Sequence, residues 1–292
     1  MPELNFVDRS FNKDQSVNYH LSLQADRSGL AYCIRNGRHK EFIVFKKYRF
    51  DHVYLESDLA GQVISVLDQD EILHLPFLDV HFVGYTQQNT LVPASYFSAD
   101  HLIDYMDFNA GGASDGELFS NNIRVLDTFN VFSLSRTLVS LITLHFKKVE
   151  FSSQASPFLW NVSNQSGSLN NTAMYVGLNA DFFDVAVTGN GKLLLYNTFQ
   201  YVNETDLLYY VLYVCKQLSL KTNDLPLILS GEMSSRLVYS EMLKQYLPAT
   251  DHDAAAGLPP ISGGLSPALA YKYLNLLNLQ ACALSVESIK AE

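Results

Sequence analysis

The sequence predicts an α/β protein made of two tandem copies of one unit, and three observations carry that reading. A three-strand meander occurs in residues 18–50 and again in residues 172–202. Each meander leads into an amphipathic helix, a further strand and another helix. With 292 residues, 48% hydrophobic and 17% charged, the chain can bury a core in both copies, and the composition excludes disorder over most of its length.

In the first copy, strands are expected over Tyr19–Leu23, Leu30–Arg35 and Phe42–Phe50, punctuated by turns at Asp26 to Gly29 and at Gly37. In the second, they are expected over Met174–Leu178, Phe183–Thr188 and Leu193–Val202, with Gly189-Asn190-Gly191 as a hairpin signal. Helices follow through Leu59, Val63, Val66 and Leu67, and after the start signal Asn203-Glu204-Thr205-Asp206. The fourth strands fall at Asp79–Tyr85 and Leu225–Ser230, leading into helices over Ala99–Met106 and Ser234–Tyr246. Three antiparallel strands, a helix, a parallel fourth strand and a second helix make the layout of a ribonuclease-H-like unit, with helices on the sheet faces.

Between the copies the sequence places a strand over Ile123–Phe129, a helix over Leu134–Phe146, a short strand at Val149–Phe151 and a helical stretch around Trp160. The polar run Ser163 to Asn171 marks the domain boundary, giving domains 1–167 and 168–292. Loops are expected at 109–116 and 250–267, then a helix over Ala268–Leu277 and an apolar run from Ala281 to Val286.

A net charge of −10, spread along the chain, argues against a surface for nucleic acid or anionic lipid. The basic residues Arg35, Arg38, Lys40, Lys46, Lys47 and Arg49 read as a solvated hairpin face. Cys33, Cys215 and Cys282 are far apart in apolar surroundings and read as reduced, buried hydrophobes. The N-terminus has no signal-peptide pattern and no stretch reaches the ~20 apolar residues of a spanning helix, so a cytoplasmic place without membrane insertion is expected.

Chemistry is sparse. His74 and His81, seven apart, and Asp251-His252-Asp253 are weak candidates for metal ligation, and no metal site is assigned. The first strands carry no carboxylate, and Asp79, at the start of its strand, has no partner carboxylate in the expected place, which argues against a two-metal nuclease. No nucleophile pairs with a base at readable spacing, so no catalytic residue is assigned. Tyr209, Tyr210 and Tyr213 give the helix after the second meander more aromatic surface than one buried stripe uses.

Two tandem units of this kind resemble the actin-like ATPase superfamily, in particular pilus-assembly and type II secretion proteins. SVNYHLSLQADRSGLAYCI, NTLVPASYF and LYNTFQYVNETDLLYYVL more closely resemble an uncharacterised Bacteroidetes family of that fold. The resemblance implies phosphate loops in the first hairpin turn of each domain, where an aspartate orients metal and water and glycines admit the phosphates. Here the first turn reads Leu23-Gln24-Ala25-Asp26-Arg27-Ser28-Gly29, with glutamine where the aspartate belongs. The second reads Gly177-Leu178-Asn179-Ala180-Asp181-Phe182-Phe183-Asp184, whose phenylalanines would crowd a triphosphate, and the adenosine turn keeps one glycine, Gly231. The resemblance therefore implies a noncatalytic scaffold or protein-interaction module without cofactor, with an unidentified protein partner. The alternative is a divergent protein that binds ATP with magnesium through Asp26, Asn179, Asp181 and Gly231. Under the first reading Asp26 and Asp181 are turn residues bonding their own backbone.

Overall fold

The computed structural model describes residues 1–39, 41–110, 116–166, 172–231, 233–249, 272–284 and 288–290. The chain forms two compact units: one holds Met1–Pro157 with the C-terminal residues from Asn275, the other the described residues between Phe158 and Leu274.

The first unit contains strands β1 (Leu4–Val7), β2 (Tyr19–Asp26), β3 (Gly29–Asn36), β4 (Phe42–Arg49), β5 (Asp79–Gly84) and β9 (Glu150–Ser153), which form one sheet in the order β1-β4-β3-β2-β5-β9. The meander pairs antiparallel, while β5 runs parallel to β2 and β9 parallel to β5. Helices α1 (Glu56–Gln69) and α3 (Arg136–His145) cover one face. There Leu21, Leu23, Tyr32, Ile34 and Phe82 meet Val63, Leu67, Val139 and Ile142 in the larger core. Helix α1 starts where Asp58 accepts the backbone N–H of Leu55 at 2.9 Å, satisfying a donor that the first turn leaves over.

A second sheet in this unit has the order β14-β7-β8-β6, from β6 (Asn89–Pro93), β7 (Glu117–Ile123), β8 (Thr128–Leu134) and β14 (Ser288–Lys290). It replaces the single strand expected over Ile123–Phe129. Asp127 takes the left-handed conformation at φ 50°, and the chain reverses there between β7 and β8. The polar residues Asn121, Asn122 and Asn130 hide the strand pattern, because two of them are buried in side-chain hydrogen bonds: Asn130 Nδ2 donates to Ser153 and Ser156, and Ser156 donates to Asn121. Helix α2 (Leu102–Ala110) packs Leu102 and Met106 against Val92 and Val131 of this sheet.

In the second unit β10 (Ala173–Leu178), β11 (Phe182–Gly189), β12 (Lys192–Gln200) and β13 (Leu227–Gly231) form a sheet in the order β12-β11-β10-β13, with β13 parallel to β10. The Asn190-Gly191 turn has φ 51° and 72°, the paired positive angles of a two-residue hairpin turn. Helix α5 (Glu204–Gln217) begins with a reciprocal cap. Asn203 Oδ1 accepts from the Asp206 N–H at 3.1 Å and Asp206 Oδ2 from the Asn203 N–H at 3.3 Å. Leu207, Val211 and Val214 of α5 and Leu243 of α6 (Met233–Lys244) bury against Met174, Val176, Phe183, Val185 and Leu229.

Helix α4 (Ala155–Ser166) runs through the segment expected to be helical around Trp160, and α7 spans Leu274–Leu284, where the sequence reading ended its helix at Leu277. The loop expected at 250–267 lies outside the described residues. All three cysteines are buried and free, and no helix among the described residues is long and apolar enough to cross a membrane.

Candidate functional site

The hairpin turn of the first unit is as short as a turn can be, with Asp26 facing Gly29 in the ladder. The Asp26 carboxylate accepts the Ser28 N–H at 2.7 Å and the Ser28 hydroxyl at 2.5 Å, which closes the turn on itself. Burial pushes its carboxyl above the ordinary carboxylate value, against the pull of the Ser28 bonds. A Cβ on Gly29 would lie 2.1 Å from the carbonyl oxygen of Tyr48, so this glycine is required by the close approach of β4. Gln24 is buried, and Tyr85 donates to its Oε1 at 3.4 Å.

The corresponding turn of the second unit has three residues, 179 to 181, between β10 and β11. The Asn179 N–H donates to the Phe182 carbonyl at 3.0 Å, and its Nδ2 donates to Asp184 Oδ2 at 3.1 Å. The Asp181 side chain is exposed, and its carbonyl accepts from the Tyr201 N–H at 3.3 Å. Phe183 turns into the core beneath α5, within 5.6 Å of Phe199 and 5.7 Å of Tyr201 between ring centres. Gly231 ends β13 at φ 101°, and a Cβ there would stand 2.0 Å from the Leu178 carbonyl oxygen. Glu232, beside it, lies outside the described residues. Asn179 and Asp181 share one turn, and Gly231 pairs with Leu178 next to it, while Asp26 belongs to the other unit.

The carboxylate to which sequence reasoning gave no role is Asp184, at the end of the second turn segment and 1% exposed in an apolar strand. Tyr196 and Thr198 donate to its Oδ1 at 2.7 and 2.9 Å, and Asn179 to its Oδ2. The signal was available: an aspartate between Phe183 and Val185, in a strand apolar on both faces, must be paired. In the first unit Asp70 plays a comparable part. It accepts from Tyr32 and Tyr48 at 2.6 Å, from Lys46 at 3.0 Å and from the Ile72 N–H at 3.1 Å. Burial opposes its charge, yet these bonds outweigh burial and hold the carboxyl below the ordinary range.

At the start of β2, β5 and β9 four ionisable groups meet. His20 Nδ1 lies 2.6 Å from Asp79 Oδ2, and His81 stands 3.2 Å from Asp79 and 3.4 Å from Glu150. Burial disfavours the His81 cation, but its two carboxylate partners prevail and push it up to about 9. Asp79 is depressed well below the carboxylate range in turn: burial opposes its charge, and the two histidines overcome that. His74 is elsewhere, its ring 5.2 Å from that of His145. Among the described residues no set of histidine, cysteine or carboxylate side chains is placed to hold a metal ion, and Asp251-His252-Asp253 lies outside them.

The basic hairpin residues form a solvated face only in part: Arg38 and Arg49 are exposed, Lys40 lies outside the described residues, and Lys46, Lys47 and Arg35 are drawn into the fold. Lys46 pairs with Asp70, Lys47 with Glu3 at 2.6 Å, Arg49 with Asp51 at 3.4 Å, and Arg35 donates to Gln280 at 2.7 Å. The periodicity of a strand says which residues share a face, and not which acids the tertiary fold brings opposite them.

Two meander sheets with a parallel fourth strand, carrying helices, place the chain among proteins with the actin-like ATPase fold. A Bacteroides thetaiotaomicron protein described as having an actin-like ATPase fold and unknown function superposes with a TM-score of 0.78 at 21% identity, covering 91% of this chain and 98% of that one. A structure described as the PilM-PilN type IV pilus biogenesis complex matches at a TM-score of 0.61 and 9% identity, over 93% of this chain and 99% of that chain. The chain belongs to the family of proteins of unknown function DUF3822, whose model matches residues 8–250. Curated proteins yield no match.

Proposed function

We propose that this protein is a noncatalytic scaffold with two ribonuclease-H-like domains, working in the cytoplasm through contacts with other protein chains. The observation that carries the reading is that each residue of the ATP alternative has an architectural use. Asp26 closes its own turn on Ser28, and Asn179 neutralises a donor need of buried Asp184. Gly231 accommodates the Leu178 carbonyl, and the Asp181 carbonyl holds the start of the segment after β12 through Tyr201. Phosphate-binding turns present backbone N–H groups and a directed carboxylate to the ligand. Here the Ser28 and Asn179 N–H groups are already taken within the turns, which supports the reading without a magnesium-bound triphosphate.

The presence of a pilus-assembly complex among the structural neighbours supports an assembly role on the side of analogy. A thermal-shift titration with magnesium and ATP tests the reading. We expect no movement of the transition at millimolar nucleotide. Binding to the folded state would instead add ~2.7 kcal/mol at a hundredfold excess over the dissociation constant, a rise of several degrees in Tm.

A further inference from the structure

The chain holds two Asn-Gly pairs, Asn36-Gly37 and Asn190-Gly191, each between the second and third strands of a meander. An asparagine followed by glycine is chemically labile, because a residue without a Cβ leaves its backbone nitrogen unshielded toward the side-chain carbonyl carbon before it. In sequence the two pairs are alike, and the fold gives them opposite surroundings.

The first pair is restrained. Asn36 is half-buried at the end of β3, opposite Tyr19 of β2. Its Oδ1 accepts the Arg38 N–H at 2.9 Å and the His39 N–H at 3.5 Å, and its own N–H donates to the Glu41 carbonyl at 2.9 Å. Gly37 is hemmed in, since a Cβ there would meet the Asn18 carbonyl oxygen at 3.0 Å and His20 Nε2 at 3.1 Å. The carboxamide has to give up its bonds to the backbone ahead before it can turn toward the Gly37 nitrogen.

The second pair has none of these restraints. The ladder of β11 and β12 closes with Gly189 opposite Lys192, so Asn190 and Gly191 stand outside it as the turn residues. Both are exposed, and the Asn190 carboxamide makes no hydrogen bond among the described residues. A Cβ on Gly191 would meet nothing within 4 Å.

We propose that Asn190 is a site of spontaneous deamidation in the folded protein, with water as the co-reactant, and that Asn36 is protected. The Gly191 backbone nitrogen forms a bond to Asn190 Cγ. Its proton leaves with the carboxamide nitrogen as ammonia, and a cyclic imide remains. Water then opens the imide at one of its two carbon–nitrogen bonds. Breaking the bond to Cγ leaves an aspartate in the original chain, whereas breaking the bond to the Asn190 main-chain carbonyl carbon leaves an isoaspartate, whose chain runs through Cγ. One water is consumed and one ammonia released, with no change of oxidation state. Either product adds a negative charge next to exposed Lys192. The isoaspartate also lengthens by one main-chain atom a turn whose φ angles of 51° and 72° fit two residues. The site lies at the other end of β11 from Asn179 and Asp181, so it neither rests on the scaffold reading nor bears on it.

Ageing of the full chain in mildly alkaline buffer at body temperature, read by peptide mass mapping and by isoaspartyl methyltransferase labelling, tests the proposal. In the folded chain Asn190 should convert roughly tenfold faster than Asn36 or more, because the Asn36 carboxamide must first leave its bonds to reach attack geometry. The same chain unfolded in urea is the reference: there the two pairs lose their different surroundings and should convert at similar rates. Asn190→Gln, which carries the carboxamide one carbon further from the chain, should abolish labelling at this turn and leave Asn36 as it was. Equal conversion at the two asparagines of the folded chain overturns the proposal, as does an intact Asn190 over a period in which the unfolded chain is converted. Labelling that persists in Asn190→Gln also overturns it, by placing the isoaspartate elsewhere. Should that variant fail to fold, the comparison of folded with unfolded wild type decides alone.

Discussion

The two units solve the same problem, a carboxylate buried beside a meander, with different partners. In the first, Asp70 follows α1 and faces a full cation, Lys46, together with two tyrosine hydroxyls and a backbone N–H. In the second, Asp184 lies within β11 and meets neutral donors only among the bonds described above, Tyr196, Thr198 and Asn179. The difference teaches where each unit keeps its polar residues. The first ties its third strand to a helix end through charge. The second spends the Nδ2 of its hairpin-turn asparagine on the interior.

The comparison breaks first at the glycines. Gly231→Ala should be the most damaging change, because a Cβ would stand 2.0 Å from the Leu178 carbonyl oxygen at a backbone angle that alanine avoids. Gly29→Ala, at 2.1 Å from the Tyr48 carbonyl oxygen, should follow. Both should cost about 3 kcal/mol or more, or prevent folding. Gly191→Ala, with open space at φ 72°, should cost only about 1 kcal/mol. Urea denaturation of the three variants gives the order, and an equal loss at Gly191 and Gly231 would show that the close approach is not the cause.

Removal of the carboxylates should come next. Asp70→Ala leaves Lys46 and two hydroxyls without their acceptor and should cost about 3–5 kcal/mol, as breaking one side of a buried ion pair does. Asp184→Ala leaves neutral donors and should cost about 1–3 kcal/mol. If Asp184→Ala proves the more harmful, the contrast between a charged and a neutral partner set fails.

The most gradual effect is the dependence on pH. Because His81 is raised in the folded state, its contribution is complete below about pH 6.5 and fades as pH rises through about 9. Asp79 is depressed, so its contribution is complete above the ordinary carboxylate range, about pH 4, and fades on acidification. Stability should therefore be greatest between about pH 4.5 and 6.5 as far as this cluster is concerned, and decline on the alkaline side by on the order of 2 kcal/mol. His81→Phe should flatten that alkaline decline in denaturation curves measured from pH 6 to 10. An unchanged slope would remove the cluster as its source.

The sequence by itself determined the repeated meander, its two helices and the parallel fourth strand, because period-two and helical patterns and turn residues are local. Asn203 with Asp206 and Asn190-Gly191 announce their cap and turn without help from the rest of the chain. The actin-like fold entered as a resemblance, carried by that tandem order of elements and by segments such as LYNTFQYVNETDLLYYVL. Tertiary structure alone decided the second sheet of the first unit, whose strands carry Asn121 and Asn130 at positions that are buried only because Ser153 and Ser156 arrive to bond them. It also decided which groups stand opposite the four candidate nucleotide residues. A glycine or aspartate in a turn reads alike whether a phosphate or a carbonyl stands opposite, and that neighbour comes from Tyr48, Leu178 or Asp184, brought close by strand pairing.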